Sequence, residues 1–234
     1  MKGDLSSLFV TRIDRKMEIN MDNNIPSKEE FYEALSVRHG KDNQEKFRAA
    51  TVAILGLGGL GSNVSICLAR AGIGKLILID FDKVDITNIH RQQYKLEQIG
   101  LEKTKALADN LSEINPFMEI ETHQVKVNES NIHQLLNEAD IVCEAFDNAK
   151  SKAMLVNYVL EHFPDKYIVS GSGMAGFNSA NMISTKKLSK RFYLCGDGVS
   201  DVNLGIGLIS SRVMACAAHE AHMVLRILMG ETDV

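Results

Sequence analysis

A strand-like run, a glycine loop and a helix-like run follow one another directly in this chain, and that order constrains the fold more than any other feature. Thr51 to Leu55 is β-branched and apolar, Gly56-Leu57-Gly58-Gly59-Leu60-Gly61 follows, and Leu60 to Ala71 carries apolar residues at helical spacing. Lys75 to Ile79 is a second strand-like run, ending at Asp80. Each glycine has a physical use. Gly56 permits a tight turn, Gly58 and its neighbour Gly59 let backbone approach a phosphate, and Gly61 permits close helix packing. The helix start supplies free amides and the positive end of a dipole. Asp80 stands where a carboxylate can accept hydrogen bonds from ribose hydroxyls. The pattern predicts nucleotide binding and suits a dinucleotide as well as ATP.

The alternation continues. Spacing predicts helices over about Lys103 to Ile114, Glu129 to Asn137 and Lys150 to His162, and strands over Glu119 to Val125, Asp140 to Glu144 and Lys166 to Ser170. Ser27-Lys28-Glu29-Glu30 is a capping-box pattern that opens a short helix through Phe31, Leu35 and Val37. These elements predict an α/β fold of the Rossmann-like, doubly wound kind, with a mostly parallel sheet, helices on both faces and a small C-terminal extension of the sheet. The expected organisation is a leader over residues 1–24, with Met17 and Met21 as alternative starts, then one domain over 25–234. Within it, 171–204 forms a variable lobe or crossover. Lys186, Lys187, Lys190 and Arg191 read as a solvated turn.

The 26 basic and 30 acidic residues of the 234 are spread along the chain and leave a net charge of -4, so the sequence has no electrostatic footprint for nucleic acid or an anionic membrane. The apolar stretch Leu204 to Met229 is interrupted by Arg212, His219, Glu220, His222 and Arg226, which favours a buried helix over a membrane span. Cys67, Cys143, Cys195 and Cys216 show no zinc-type pairing, so the expectation is no zinc and a reducing, cytoplasmic setting.

Three further segments sharpen the reading: Phe81-Asp82-Lys83-Val84, Asn88-Ile89-His90-Arg91-Gln92-Gln93 and Gly100-Leu101-Glu102-Lys103-Thr104-Lys105. With the glycine loop and Ala145-Phe146-Asp147-Asn148, they resemble the adenylation domain of ThiF, MoeB and the ubiquitin-activating enzymes, from about Gln44 onward. The texture is most similar to a short ThiF-related branch. The resemblance implies an adenylyltransferase using ATP and Mg2+ on the C-terminal carboxylate of a ubiquitin-like sulfur-carrier protein, ThiS-like and ending in Gly-Gly, with thiamine thiazole synthesis as the pathway. It implies that Asn88 and Arg91 hold phosphates, Gln92 contacts phosphate or ribose, Lys103 neutralises developing charge and Asp147 binds magnesium. It also implies a homodimer. Taken singly, Arg91 and Lys103 read better as surface charges and Asp147 as a helix cap; it is their joint order that favours adenylation.

The chain departs from that family in places. Tyr32 stands where many relatives carry an arginine that reaches the partner subunit, so either Arg38 substitutes by a local shift or that contact is absent. Cys195 has no mate for zinc, and Asp201 occupies the place of a reactive cysteine, so Cys195 is the one thiol to test, against a purely structural role. His219, Glu220 and His222 lack metal spacing and read as a polar helix face. Three alternatives stay open: a related transfer-RNA-modifying dehydratase, an NAD-dependent dehydrogenase, and a non-catalytic nucleotide or carrier-binding module.

Overall fold

The computed structural model describes residues 25–234; the expected leader at 1–24 and the starts at Met17 and Met21 lie outside the described residues. Strands β1 (Thr51–Leu55), β2 (Lys75–Asp80), β3 (Glu119–Gln124), β4 (Ile141–Glu144), β5 (Tyr167–Gly171), β6 (Ser184–Ser189) and β7 (Phe192–Gly196) form one sheet in the order β3-β2-β1-β4-β5-β7-β6. All neighbours are parallel except β6, which pairs antiparallel with β7 and supplies the expected extension of the sheet. The chain winds outward from β1 through β2 to β3, then returns to lay β4 on the other side of β1. A doubly wound sheet opens a crevice at such a reversal, beyond the carboxyl ends of the two strands.

The helices are α1 (Lys28–His39), α2 (Lys41–Ala49), α3 (Gly59–Ala71), α4 (Lys103–Ile114), α5 (Ile132–Leu136), α6 (Ala149–His162) and α7 (Ser210–Met229). Alternate residues along the central strands feed two separate cores. Val52, Ile54, Leu76 and Leu78 pack with Leu68, Leu107 and Val224 on the face of α3, α4 and α7. Ala53, Leu55, Ile77 and Ile79 pack with Ile132, Leu136, Leu155 and Val159 on the face of α5 and α6. Strands buried on both faces explain the continuous apolar runs in the sequence. Among the described residues, no helix is long and apolar enough to cross a membrane.

Several boundaries differ from the sequence reading. The apolar stretch beginning at Leu204 becomes helical only at Ser210, because Gly205 takes a positive φ of 112° and the preceding turn ends there. Helix α5 is shorter than the expected span from Glu129 to Asn137, starting at Ile132 after Asn128 and Asn131 close a turn by side-chain hydrogen bonds. The second helix, α2, follows Gly40 with no sequence signal beyond the burial of Gln44 and Phe47. The basic cluster is not a single solvated turn. Lys186 and Lys187 lie on β6, and Arg191 reaches back to donate to the carbonyls of Leu160, Phe163 and Lys166.

Candidate functional site

The glycine loop leaves β1 at the reversal point, and the acid loop Ala145-Phe146-Asp147-Asn148 leaves β4 beside it. The two loops touch at Gly56. Its φ is +90°, and a Cβ there would lie 2.7 Å from the Ala145 carbonyl oxygen. Gly61 is equally constrained, since a Cβ would meet the Gly56 oxygen at 1.9 Å. The start of α3 has no side-chain cap, so its first amides face the crevice unclaimed by any protein side chain.

Asp80 organises this loop as well as bordering it. One carboxylate oxygen accepts from the Leu57 amide at 2.6 Å and the other from the Asp82 amide at 2.8 Å. Tyr94 donates its hydroxyl to the Leu57 carbonyl at 2.7 Å, clamping the loop from the other side. Burial pushes the Tyr94 hydroxyl far up, with Asp80 and Asp82 adding to the effect, so it stays a donor.

The segment that includes Asn88, Arg91 and Gln92 lies against the start of α3. Asn63 donates to the carbonyls of Gly59 and Arg91, and Gln93 donates to Asn63. Sequence reasoning did not single out Asn63, Gln93 or Tyr94; a polar residue inside an apolar helical face was the only available signal for Asn63. Arg91 donates to Asn88 Oδ1 at 2.8 Å, and its stem runs over Gly59. Burial lowers its pKa, opposed by the negative charge of Asp147. Arg91 Nε and Gln92 Oε1 are buried without a partner. Two unmet polar atoms beside an uncapped helix start suit the polar groups of a ligand, because such groups cost about 1–3 kcal/mol each when left unsatisfied.

Lys103 is 5% exposed, which overturns its reading as a surface charge, and its ammonium lies 3.0 Å from Asp82. Lys105 is exposed. Asp147 is exposed too, and the cap of α6 is Asn148, whose side chain accepts from the Ser151 amide. Asp147 is therefore not spent on the helix start. Tyr32 is buried with Arg48 over its ring, and Arg38 is exposed in the last turn of α1.

Behind the site, the polar-face reading of the last helix is corrected at Glu220. Glu220 belongs to no polar surface: it is fully buried beneath Gly171, where a Cβ would lie 2.3 Å from Glu220 Oε1. Arg212 is buried as well, 2.7 Å from Asp197. Cys195 is buried and its thiol is pushed up to about 12 by burial and Glu220, against a weaker contact from Thr185, giving it the character of a core residue.

Burial, reinforced by Glu144 and offset by Lys152 and Cys216, raises Glu220 well above its ordinary 4.5. The folded protein keeps that proton where the unfolded chain loses it. Stability should therefore fall as pH rises above about 4.5, by up to about 1.4 kcal/mol per pH unit from this group. Glu220→Gln should match the natural protein near pH 4.5 and be the more stable of the two at pH 7 to 8, as read by urea denaturation. Parallel pH profiles for the two proteins would refute the assignment.

A sequence pattern described as the ThiF family matches residues 32–234. The chain belongs to the ThiF family. It is 36% identical over 136 residues to Adenylyltransferase and sulfurtransferase MOCS3 of Culex quinquefasciatus, covering 58% of this chain and 31% of that protein. It is 37% identical over 138 residues to Ubiquitin-like modifier-activating enzyme 5 of Caenorhabditis elegans, covering 54% and 33%. The chain thus matches about a third of the length of these relatives. The fold is similar to that of the E. coli tRNA N6-threonylcarbamoyladenosine dehydratase TcdA, solved in complex with ATP. The TM-score is 0.78 at 23% identity, covering 86% of this chain and 95% of that one.

Proposed function

We propose that this ThiF-family chain is an adenylyltransferase that uses ATP to activate the C-terminal carboxylate of a ubiquitin-like carrier protein ending in Gly-Gly. The observation that carries the reading is the pair of buried, partnerless polar atoms, Arg91 Nε and Gln92 Oε1, beside the uncapped start of α3. In this reading a carrier carboxylate oxygen forms a bond to the α-phosphorus of ATP as the bond to the bridging oxygen breaks, and pyrophosphate leaves with that electron pair. The amides after Gly58 cradle phosphate, the glycines keep side chains out of the way, and Asn88 and Arg91 bind phosphate oxygens. Lys103 and Asp82 form a pre-set pair from which the ammonium turns toward charge developing on the phosphates. Asp80 retains acceptor capacity for ribose hydroxyls after binding the two loop amides.

Asp147 suits magnesium because it is exposed, is not the α6 cap, and lies near enough to Arg91 for its charge to be felt there; one protein carboxylate plus phosphates and waters is a usual set for this ion. The bound ion would screen the leaving pyrophosphate. The curated relatives are named for adenylyl transfer and for activation of ubiquitin-like modifiers, which supports the carrier class. A ThiS-like carrier in thiamine thiazole synthesis and a homodimer with Arg38 reaching the second subunit belong to the same proposal.

Exchange of labelled pyrophosphate into ATP, driven by a panel of carriers that includes a ThiS-like protein, is the test. Asp147→Ala should lower exchange at least a hundredfold with unchanged thermal unfolding. ATP binding without exchange for any carrier would leave a binding module. Transfer-RNA-dependent ATP cleavage would favour the dehydratase, and NADH binding without ATP binding would favour a dehydrogenase.

A further inference from the structure

The acid loop leaves β4 through a residue that the proposed chemistry does not use. Glu144 ends the strand with no exposed surface, and its carboxylate is fully engaged. Oε1 accepts from the Phe146 amide at 2.7 Å. Oε2 accepts from Lys152 Nζ on α6 at 2.7 Å and from Ser170 Oγ on β5 at 2.5 Å. The strand register sets Glu144 directly beside Ser170, and Lys152 lies one turn into α6. The Asn148 side chain holds the Ser151 amide. Asp147 therefore sits on a short span fixed before it by Glu144 and after it by Asn148, with its own carboxylate exposed.

A buried ion pair needs a reason, because desolvation makes it a poor source of net stability. Here Oε1 does what an apolar residue could not: it accepts an amide in the turn that presents Asp147. The ammonium and the hydroxyl on Oε2 fix the direction of Oε1. We propose that Glu144, oriented by Lys152 and Ser170, is a positioning residue that sets the Asp147 carboxylate for the metal-nucleotide complex, an inference that rests on the adenylation reading.

Glutamine at this position separates positioning from bulk. A carboxylate has two acceptor oxygens, while an amide has one, so Glu144→Gln sets a donor against either the Phe146 amide or the Lys152 ammonium in both of its orientations. Removing the ammonium relieves that conflict: in the double variant Glu144→Gln with Lys152→Met, the amide oxygen serves Phe146 and the NH2 faces Ser170 Oγ. The single variant should speed hydrogen exchange of the Phe146 amide on the order of tenfold. It should also raise the magnesium concentration for half-maximal pyrophosphate exchange by roughly 10–100-fold. ATP affinity measured without magnesium should stay within about twofold, which a general loss of structure would not allow. The double variant should recover both readouts.

The idea is overturned if the single variant keeps the natural amide protection and magnesium dependence, or if the double variant is no better than the single. Absence of pyrophosphate exchange by the unaltered protein with every carrier would sink the adenylation reading and the metal arm with it. The Phe146 amide arm needs no activity, and unchanged protection there would overturn the loop assignment by itself.

Discussion

Replacing Arg91 by alanine should reduce carrier-dependent pyrophosphate exchange by about a hundredfold to a thousandfold, the usual cost of removing one pre-set donor from a developing charge. The expectation comes from how the residue is held. Its guanidinium is fixed by Asn88 Oδ1 and reaches the Thr87 carbonyl more loosely, at 3.4 Å, while Nε has no partner. Burial lowers its pKa, and Asp147 opposes that shift. A donor already aimed and partly desolvated reorganises little when phosphate charge appears. The folded state should hardly notice the loss, since alanine removes an unsatisfied buried atom along with two hydrogen bonds, and chemical denaturation should move by no more than about 1 kcal/mol. Lysine should restore little, because a point charge does not reproduce the planar fork. An alanine variant with natural exchange rates would remove Arg91 from the phosphate site.

The glycine loop and its acid were legible because the backbone demands them: Gly56 and Gly61 stand where a Cβ would strike carbonyl oxygen, a constraint that leaves a mark on the letters. The βαβ alternation was legible for a similar reason, as strands buried on both faces must be apolar throughout. Three-dimensional pairing left no such mark. Glu220 looked like part of a polar face since a buried acid is recognisable only through its neighbours, and those come from β4, β5 and α6. Arg212 was hidden likewise, its partner Asp197 standing fifteen positions earlier across a loop. Helix α2 escaped because Lys41 to Ala49 is nearly all polar and only Gln44 and Phe47 are buried. Its packing comes from distant contacts: Gln44 donates to the carbonyls of Ala71 and Gly72, and Phe47 joins the core beneath α3. Within the site, the glycines and Asp80 could be argued from mechanism. Arg91, Lys103 and Asp147 needed a family resemblance, because an isolated charged residue has too many uses.

Arg212→Met should be the most destabilising single change among those considered. The guanidinium sits 2.7 Å from Asp197 and donates to the Ala175 carbonyl at 3.0 Å, with 4% and 1% of the two side chains exposed. Asp197 also accepts from the Val199 and Ser200 amides and from the Ser200 hydroxyl, so the pair ties the crossover after β7 to the first turn of α7. Methionine fills similar volume but leaves the carboxylate buried without its counter-charge, a loss of about 3–5 kcal/mol at neutral pH by urea denaturation. Asp197→Asn in the same chain should return more than half of it, because the remaining cost is mostly the unpaired charge. Acid should narrow the gap. Burial pushes Asp197 upward, but hydrogen bonds from Ser200 and Val199 and the Arg212 guanidinium outweigh it and hold the carboxyl well below its ordinary 3.8. The stability this group confers is present above that ordinary value and is lost as pH falls toward the folded one, so the natural protein loses more than the variant on acidification. The effect should also reach the crevice. Val213 follows Arg212 and its Cγ1 lies 2.9 Å from where a Gly59 Cβ would be, so a loosened first turn of α7 removes the wall that presses on the glycine loop. ATP affinity should fall several-fold in Arg212→Met and recover with stability in the double variant. If affinity stays low once stability has returned, the ion pair acts on the site directly rather than through the packing of α7.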